Sequence, residues 1–169
     1  MLYFADYHLK TDAAIMITGS HNPSEYNGFK MVLNKHSFFS ENIQNFQNIV
    51  LNNKLEKRKG NITHIDLVDN YVLRVLKNIS IKRNLKVCWD IGNGAMGVVI
   101  DNIISKLENT DNIILNKNVD GNFPNHHPDP TVPKNMEQLV KSVKKNNCDI
   151  GLAFDGDGDR LGVVDNLGN

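Results

Sequence analysis

Apolar and polar positions follow one another along this chain in two rhythms, a strand-like one and a helix-like one, and their order sketches an architecture. Ala13 to Thr18 is a short apolar run that ends in Gly-Ser-His-Asn-Pro, the pattern of a strand running into a loop. Gly28 to Leu33 resumes as a second strand. Ser40, followed by Gln44 and by apolar Ile43, Phe46, Ile49 and Val50, predicts a helix capped by Ser40. Asn52 to Ile65 is polar and broken by Gly60, so it reads as a connection with room for a short strand at its end. From Asp66 to Ile79 the residues Leu67, Tyr71, Val72, Val75, Leu76 and Ile79 recur at helical spacing. Met1 to Lys10 receives no element.

The second half alternates more cleanly. Leu85 to Ile91 reads as a buried strand, Gly92-Asn93-Gly94 as a turn, Ala95 to Leu107 as a helix and Asn112 to Leu115 as a strand. Val119 to Val132 is a long loop rich in Pro, Asn and His. Pro133 to Lys145 is a helix with proline at its start. Asp149 to Phe154 is a strand that runs into an acidic loop, and Leu161 to Asp165 is another strand. Strand, helix, strand, helix, strand predicts an α/β layer with parallel pairs.

Composition narrows the function more than the fold. Nineteen acidic side chains balance nineteen basic ones, so no basic excess points to nucleic acid. No apolar run reaches the ~18 residues of a membrane span, and Met1 to Lys10 lacks the charged start of a signal peptide. Cys88 and Cys148 each flank a strand and read as buried free thiols in a reducing cytoplasm.

Four segments carry candidate chemistry. Thr18-Gly19-Ser20-His21-Asn22-Pro23, with Tyr26-Asn27-Gly28-Phe29-Lys30 after it, puts a serine on a tight loop at a strand end, where open α/β sheets bind ligands. Taken alone it is an ordinary polar turn. Asp155-Gly156-Asp157-Gly158-Asp159-Arg160 follows a buried strand directly. Its glycines let the backbone curl so that alternate carboxylates converge, and carboxylates so close repel unless a cation sits among them. Hard oxygen ligands from a short loop suit Mg²⁺. A calcium loop of the EF-hand kind is rejected, because Arg160 and Asn166 stand where glycine and glutamate are required.

Gly92-Asn93-Gly94-Ala95-Met96-Gly97 matches the dinucleotide fingerprint in form. The next strand ends near Leu115-Asn116-Lys117 without the acidic residue that should accompany it, so a tight strand-to-helix turn is the better reading. In Asn125-His126-His127-Pro128-Asp129-Pro130 neighbouring histidines point opposite ways along an extended chain, so a structural loop is favoured over a metal site.

Together these segments resemble the α-D-phosphohexomutase family, of phosphomannomutase/phosphoglucomutase type. Thr18 to Pro23 resembles its phosphoserine signature and Asp155 to Arg160 its metal loop, while Gly92 to Gly97 and the Asn-His-His-Pro-Asp-Pro loop resemble its second domain. Phe29 in Tyr26 to Lys30 resembles the phosphomannomutase/phosphoglucomutase branch, since phosphoglucosamine mutases tend to have isoleucine there. The resemblance implies two α/β units with mixed or parallel sheets flanked by helices: a partial first domain over residues 1–65 and most of a second over 66–169. It implies that Ser20 carries a phosphoryl group and shares Mg²⁺ with Asp155, Asp157 and Asp159. By the same resemblance Lys30 is the general acid/base, His21 assists proton transfer or holds substrate, and Arg160 steadies the phosphoserine. No separate organic cofactor is implied. The substrate would be a mannose or glucose phosphate whose C1 and C6 exchange phosphate, in the cytoplasm.

Compared with the family pattern, this chain departs at both ends. The front of the first domain, the third-domain sugar loop and the fourth-domain phosphate clamp have no counterpart in it, so it is expected to be truncated and inactive alone. A complementing C-terminal fragment is the partner such a chain would need. Two other readings compete: a non-enzymatic remnant of a decayed or split gene, and a nucleotide-binding module using Gly92 to Gly97.

Overall fold

A computed structural model describes residues 1–52, 55 and 58–169. Asn53, Lys54, Glu56 and Lys57, which fall in the expected connection, lie outside the described residues. The chain separates into two compact units, Met1–Ile17 with Gly28–Leu67, and Thr18–Asn27 with Val68–Asn169. The serine loop is thus part of the second unit, although it joins two strands of the first.

In the first unit α1 (Leu2–Leu9) precedes an antiparallel sheet, β1 (Ala13–Ile17), β2 (Phe29–Leu33) and β3 (His36–Ser37), in the order β1-β2-β3. The apolar spacing of Met1 to Lys10 is too irregular to announce α1 from sequence. The helix stops where Lys10 turns left-handed and its amide bonds the Asp6 carbonyl. Asp6 is buried, and its carboxylate accepts from Thr11 Oγ1 at 2.6 Å and Lys35 Nζ at 3.0 Å. The Thr11 bond, with Lys35 beside it, holds that carboxyl below the usual range. The short strand β3 is also absent from the sequence reading. It exists because Asn34 and Lys35 both adopt positive φ, the conformation a two-residue hairpin turn requires.

The helix expected after Ser40 is α2 (Glu41–Leu51), but Ser40 does not cap it. Its φ of 53° lies outside the extended region that lets an N-cap side chain reach back, and only its carbonyl takes part, accepting from Ile43 and Gln44. No strand appears among the described residues of the connection before Ile65.

The first unit leaves apolar surface uncovered. The register places Ala13 opposite Leu33, Ile15 opposite Met31 and Ile17 opposite Phe29, all on one face. Ile15, Ile17 and Phe29 are each about two-thirds exposed. The apolar stripe of α2, Ile43, Phe46 and Ile49, is exposed as well, and no residue of that helix is buried. We expect this unit to be the weaker of the two. Limited trypsin digestion should cut first at exposed Arg58 or Lys59 and leave a stable piece from about Val68 onward; earlier loss of the C-terminal piece would contradict this.

In the second unit α3 (Val68–Leu76) leads into a sheet of β4 (Leu85–Asp90), β5 (Thr110–Leu115), β6 (Ile150–Phe154) and β7 (Leu161–Asp165), ordered β5-β4-β6-β7. β4 pairs parallel with β5 and β6, and β7 returns antiparallel to β6. Central β4 has both faces covered, which is why Val87, Cys88 and Trp89 follow one another as apolar residues. Cys88 faces a cluster with Leu139 and Val143 of α5 (Glu137–Asn146), Cys148, Ala153 and Val164. Val87 and Trp89 face the other way, toward Ile91 and Ile100, the latter on α4 (Ile100–Ile104). Val72 of α3 packs against Val99 and Ile103. Both cysteines are free and buried, and burial pushes both thiols up.

Two expected helices begin differently. Ala95–Val98 and Pro133–Met136 are single 3₁₀ turns, with α4 and α5 following them. At the first break a Cβ on Gly97 would strike the Lys117 carbonyl, so glycine is needed there at a cost in helix propensity, and β-branched Val98, Val99 and Ile100 add to it. Because β4, β5 and β6 are parallel, their C-terminal ends open onto one edge, from which Gly92–Gly97, Asn116–Val132 and Asp155–Arg160 emerge.

Candidate functional site

At that edge the backbone brings two distant segments together. Ser20 Oγ lies 3.0 Å from Asp155 Oδ2 and 3.2 Å from Asp157 Oδ1, across 135 and 137 residues of sequence. Glycine makes the approach possible: a Cβ on Gly156 would collide with the Ser20 carbonyl. Ser20 itself sits at φ 51°, a left-handed conformation uncommon for a residue with a side chain. Its amide is held by Thr18 Oγ1 at 2.9 Å, and the Thr18 hydroxyl donates to Asp157 Oδ2 at 3.0 Å. Thr18 therefore ties the serine loop to the acidic loop, a role its place in the motif does not announce.

The acidic loop is organised around Asp155, which is fully buried. Its Oδ1 accepts from the amides of Asp159 at 2.9 Å and Arg160 at 3.1 Å, which curls the loop and leaves Oδ2 to Ser20. Carboxylate oxygens of Asp155, Asp157 and Asp159 come within 4.8 Å of one another. The hydroxyl of Ser20 owns one proton yet stands against two carboxylates, so only one of those contacts can be a hydrogen bond. Three carboxylates that converge in this way offer the hard oxygens that fit a small divalent cation such as Mg²⁺.

On the other side of Ser20, His21 Nδ1 is 3.2 Å from Oγ, and Arg160 Nη2 is 3.2 Å from His21 Nε2. Guanidinium nitrogen can only donate, so Nε2 accepts and the ring proton sits on Nδ1, directed at the serine oxygen. Arg160 Nη1 lies 3.6 Å from Asp129 Oδ1. Ser20, His21, Asp155, Asp157, Asp159 and Arg160 thus share one cluster within the second unit. Lys30 belongs to the first unit, half-buried on β2 opposite Met16.

The Gly92–Gly97 segment is used internally. Its amides are taken by Asn116 O (from Asn93), Ile91 O (from Gly94), Gly156 O (from Ala95) and Gly94 O (from Gly97). A Cβ on Gly94 would come 2.7 Å from the Gly156 carbonyl. These glycines pack turn against turn, and the amides that would cradle a pyrophosphate are already engaged.

The Asn-His-His-Pro-Asp-Pro loop is held from beneath. His126 Nε2 donates to Asp90 Oδ2 at 2.9 Å, while Asp90 Oδ1 accepts from the Gly92 amide and Asn116 Nδ2. Asn125 Nδ2 donates to Asn93 Oδ1. The Asp90 hydrogen bond raises the His126 pKa above its ordinary value. Adjacent His127 takes no part in that contact. Asp129, two residues on, reaches Arg160.

Fold and cluster together define an α/β protein in which a serine and three carboxylates converge at the C-terminal edge of a parallel sheet, and comparison with known proteins gives it a family. The family model for phosphoglucomutase/phosphomannomutase, alpha/beta/alpha domain II, matches residues 64–168, and that for domain I matches residues 1–57. A phosphomannomutase/phosphoglucomutase of Pseudomonas syringae pv. tomato is 46% identical over 99% of the chain, and a phosphoglucomutase of Neisseria meningitidis serogroup A is 43% identical over all of it. The crystal structure of a phosphoglucomutase/phosphomannomutase family protein from Burkholderia thailandensis aligns with 94% of the chain and 34% of its own, at a TM-score of 0.88 and 41% identity. This chain belongs to the phosphoglucomutase/phosphomannomutase family. It spans 36–37% of the length of those two curated relatives. Among the described residues no helix is long and apolar enough to cross a membrane.

Proposed function

We propose that this chain carries the phosphoryl-carrier and cation-binding part of a hexose-phosphate mutase site. The observation that carries the reading is the approach of Ser20 Oγ to Asp155 and Asp157 at 3.0–3.2 Å. Membership of a phosphomutase family supports it. Ser20 is the carrier, and its phosphoryl group passes to a free hydroxyl of a mannose or glucose phosphate. The bond from phosphorus to Ser20 oxygen breaks as that to the sugar oxygen forms, and the sugar hydroxyl proton goes to a base. A bisphosphate results. After the sugar turns over, its other phosphate returns to Ser20, so that C1 and C6 have exchanged phosphate.

Asp155, Asp157 and Asp159, with an oxygen on Ser20, would hold Mg²⁺. When bound, the cation would supply positive charge to offset the phosphoryl oxygens, the main need of this chemistry. His21 directs its Nδ1 proton at the serine oxygen, and Arg160 keeps the ring in that tautomer. Lys30 is the proposed acid/base, on the strength of its place ten residues after Ser20 in the family motif. Residues 1–65 and 66–169 are proposed as parts of the family's first and second domains. Sugar selection and the clamp on the distal phosphate fall to segments beyond this chain, and a complementing polypeptide that brings them is the partner proposed for it.

The test is phosphoryl capture. Incubated with glucose 1,6-bisphosphate and Mg²⁺, the chain should gain one phosphate at Ser20, read by mass. Asp157→Asn keeps the shape of the loop and removes a charge, and should slow capture about 10²-fold or more, the scale of losing one electrostatic contact to the reacting group. Ser20→Ala should capture nothing. The chain alone should not turn over mannose 1-phosphate or glucose 1-phosphate, because turnover, unlike a single capture, needs the bisphosphate to be held by distal contacts while it reorients for the second transfer. Capture by Ser20→Ala, or none by wild type, would sink the reading.

A further inference from the structure

We propose that Asp129 is a positioning residue for the serine site: its carboxylate aims the Arg160 guanidinium, which in turn fixes the ring of His21 against Ser20. This rests on the reading of Ser20 as phosphoryl carrier and adds to it a residue from a third segment of the chain. Two features of the structure support the role.

First, Asp129 is built to stay still. Its Oδ1 accepts from the Thr131 amide at 3.0 Å and from Thr131 Oγ1 at 2.7 Å, closing a tight turn. Its carbonyl accepts from Asn135 Nδ2 at 2.9 Å. Pro128, before it, is fully buried, and Pro130 follows. The side chain is 13% exposed. The Thr131 hydroxyl bond, with further help from Arg160 and His21 nearby, holds its carboxyl below the usual range, so it is a fixed negative charge at neutral pH.

Second, Arg160 needs such a charge. Its backbone is anchored by Asp155 Oδ1, but its side chain is long and 39% exposed, so nothing local determines where the guanidinium points. The two terminal nitrogens have separate tasks: Nη1 faces Asp129 and Nη2 donates to His21 Nε2. Planarity of the guanidinium converts a fixed Nη1 into a fixed Nη2. That pins the imidazole with its proton on Nδ1, facing Ser20 Oγ at 3.2 Å. A free histidine side chain prefers the opposite tautomer, so the arrangement has a spectroscopic signature.

The experiment is ¹⁵N detection of the His21 ring in the full chain at pH about 8, above the ordinary imidazole range. Wild type should show bare Nε2 and protonated Nδ1. Asp129→Asn keeps an acceptor oxygen for Thr131 while removing the charge, and should shift the bare-nitrogen resonance toward Nδ1. Arg160→Gln should shift it likewise. Thr131→Ala loses the hydroxyl bond to Asp129 but keeps the amide bond and the charge, and should shift the ring much less than Asp129→Asn does. Indole fluorescence of Trp89, in the core of the unit, verifies folding; should Asp129→Asn not fold, the comparison of Arg160→Gln with Thr131→Ala decides. An unchanged ring in Asp129→Asn and Arg160→Gln, an equal change in Thr131→Ala, or a wild-type ring protonated on Nε2 would overturn the proposal. These readouts involve no phosphate, so failure of phosphoryl capture at Ser20 counts against the mutase reading and not against the role of Asp129.

Discussion

Replacing Gly156 by alanine is expected to drive the serine loop off the acidic loop. The added Cβ would occupy the place of the Ser20 carbonyl, and backbone on both sides cannot yield as a flexible side chain would. The collision must be relieved by moving one loop. The Asp155 loop is braced by bonds from Asp159 and Arg160 to Asp155 and by the Ala95 amide on Gly156 O, so the serine loop gives way. Strain of this kind costs about 1–3 kcal/mol of folding stability. The functional loss should be larger, because displacement of a reacting group by about 1 Å can cost about 10²-fold in rate. Urea unfolding followed through Trp89 reads the first effect, and phosphoryl capture by Ser20 the second. Gly121→Ala is the control: nothing lies within 4 Å of a Cβ there, and stability should stay within about 0.5 kcal/mol. Equal behaviour of the two variants would mean that the contact of Gly156 with Ser20 is not a constraint.

Truncating His126 to alanine is expected to destabilise the second unit by about 3–5 kcal/mol, the scale for removing one partner of a buried ion pair. Asp90 is 1% exposed, and without His126 its Oδ2 loses the donor that meets it. The bond also makes stability depend on pH. His126 has a folded pKa above its ordinary 6.5, so its charged form is favoured in the folded protein. That stabilisation is complete below about pH 6.5 and is lost as pH rises through the raised folded value. His126→Gln keeps an N–H to offer Asp90 but cannot titrate. Wild type should therefore exceed His126→Gln most at pH 5.5–6, with the gap closing toward alkaline pH, about the interval in which a raised imidazole titrates. Urea midpoints for both proteins across that range measure it. A gap that widens with pH would reverse the assigned sign and sink this account of the bond between His126 and Asp90.

Much of the second unit was legible in the chain. Buried β4 and β6 announce themselves through Val87-Cys88-Trp89 and Ile150 to Phe154, because strands covered on both faces present apolar residues in succession. The acidic loop is legible too, since glycines between three aspartates let alternate carboxylates converge, as they do here, and the serine loop could be named as a motif. Elsewhere, local patterns misled. Ser40 has the composition of an N-cap, but at its positive φ its side chain makes no capping bond. Met1 to Lys10 shows no clean period, yet α1 forms there and seats Asp6 against Thr11 and Lys35.

By itself, then, the sequence determined the order of strands and helices in the second unit, the family, and which residues are chemically able to act. Those depend on side-chain type and near spacing, which a linear reading can see. The family resemblance already implied that Ser20 meets the aspartates; only the tertiary structure decided that Thr18 and Gly156 make the meeting possible, and that Asp129 reaches Arg160. These are contacts between segments far apart in the chain. Backbone atoms set them as much as side chains do: a carbonyl that forbids a Cβ, an amide that curls a loop. Such constraints leave only a glycine or a threonine in the sequence, residues common enough in turns that their purpose becomes visible only when the opposing loop is in place.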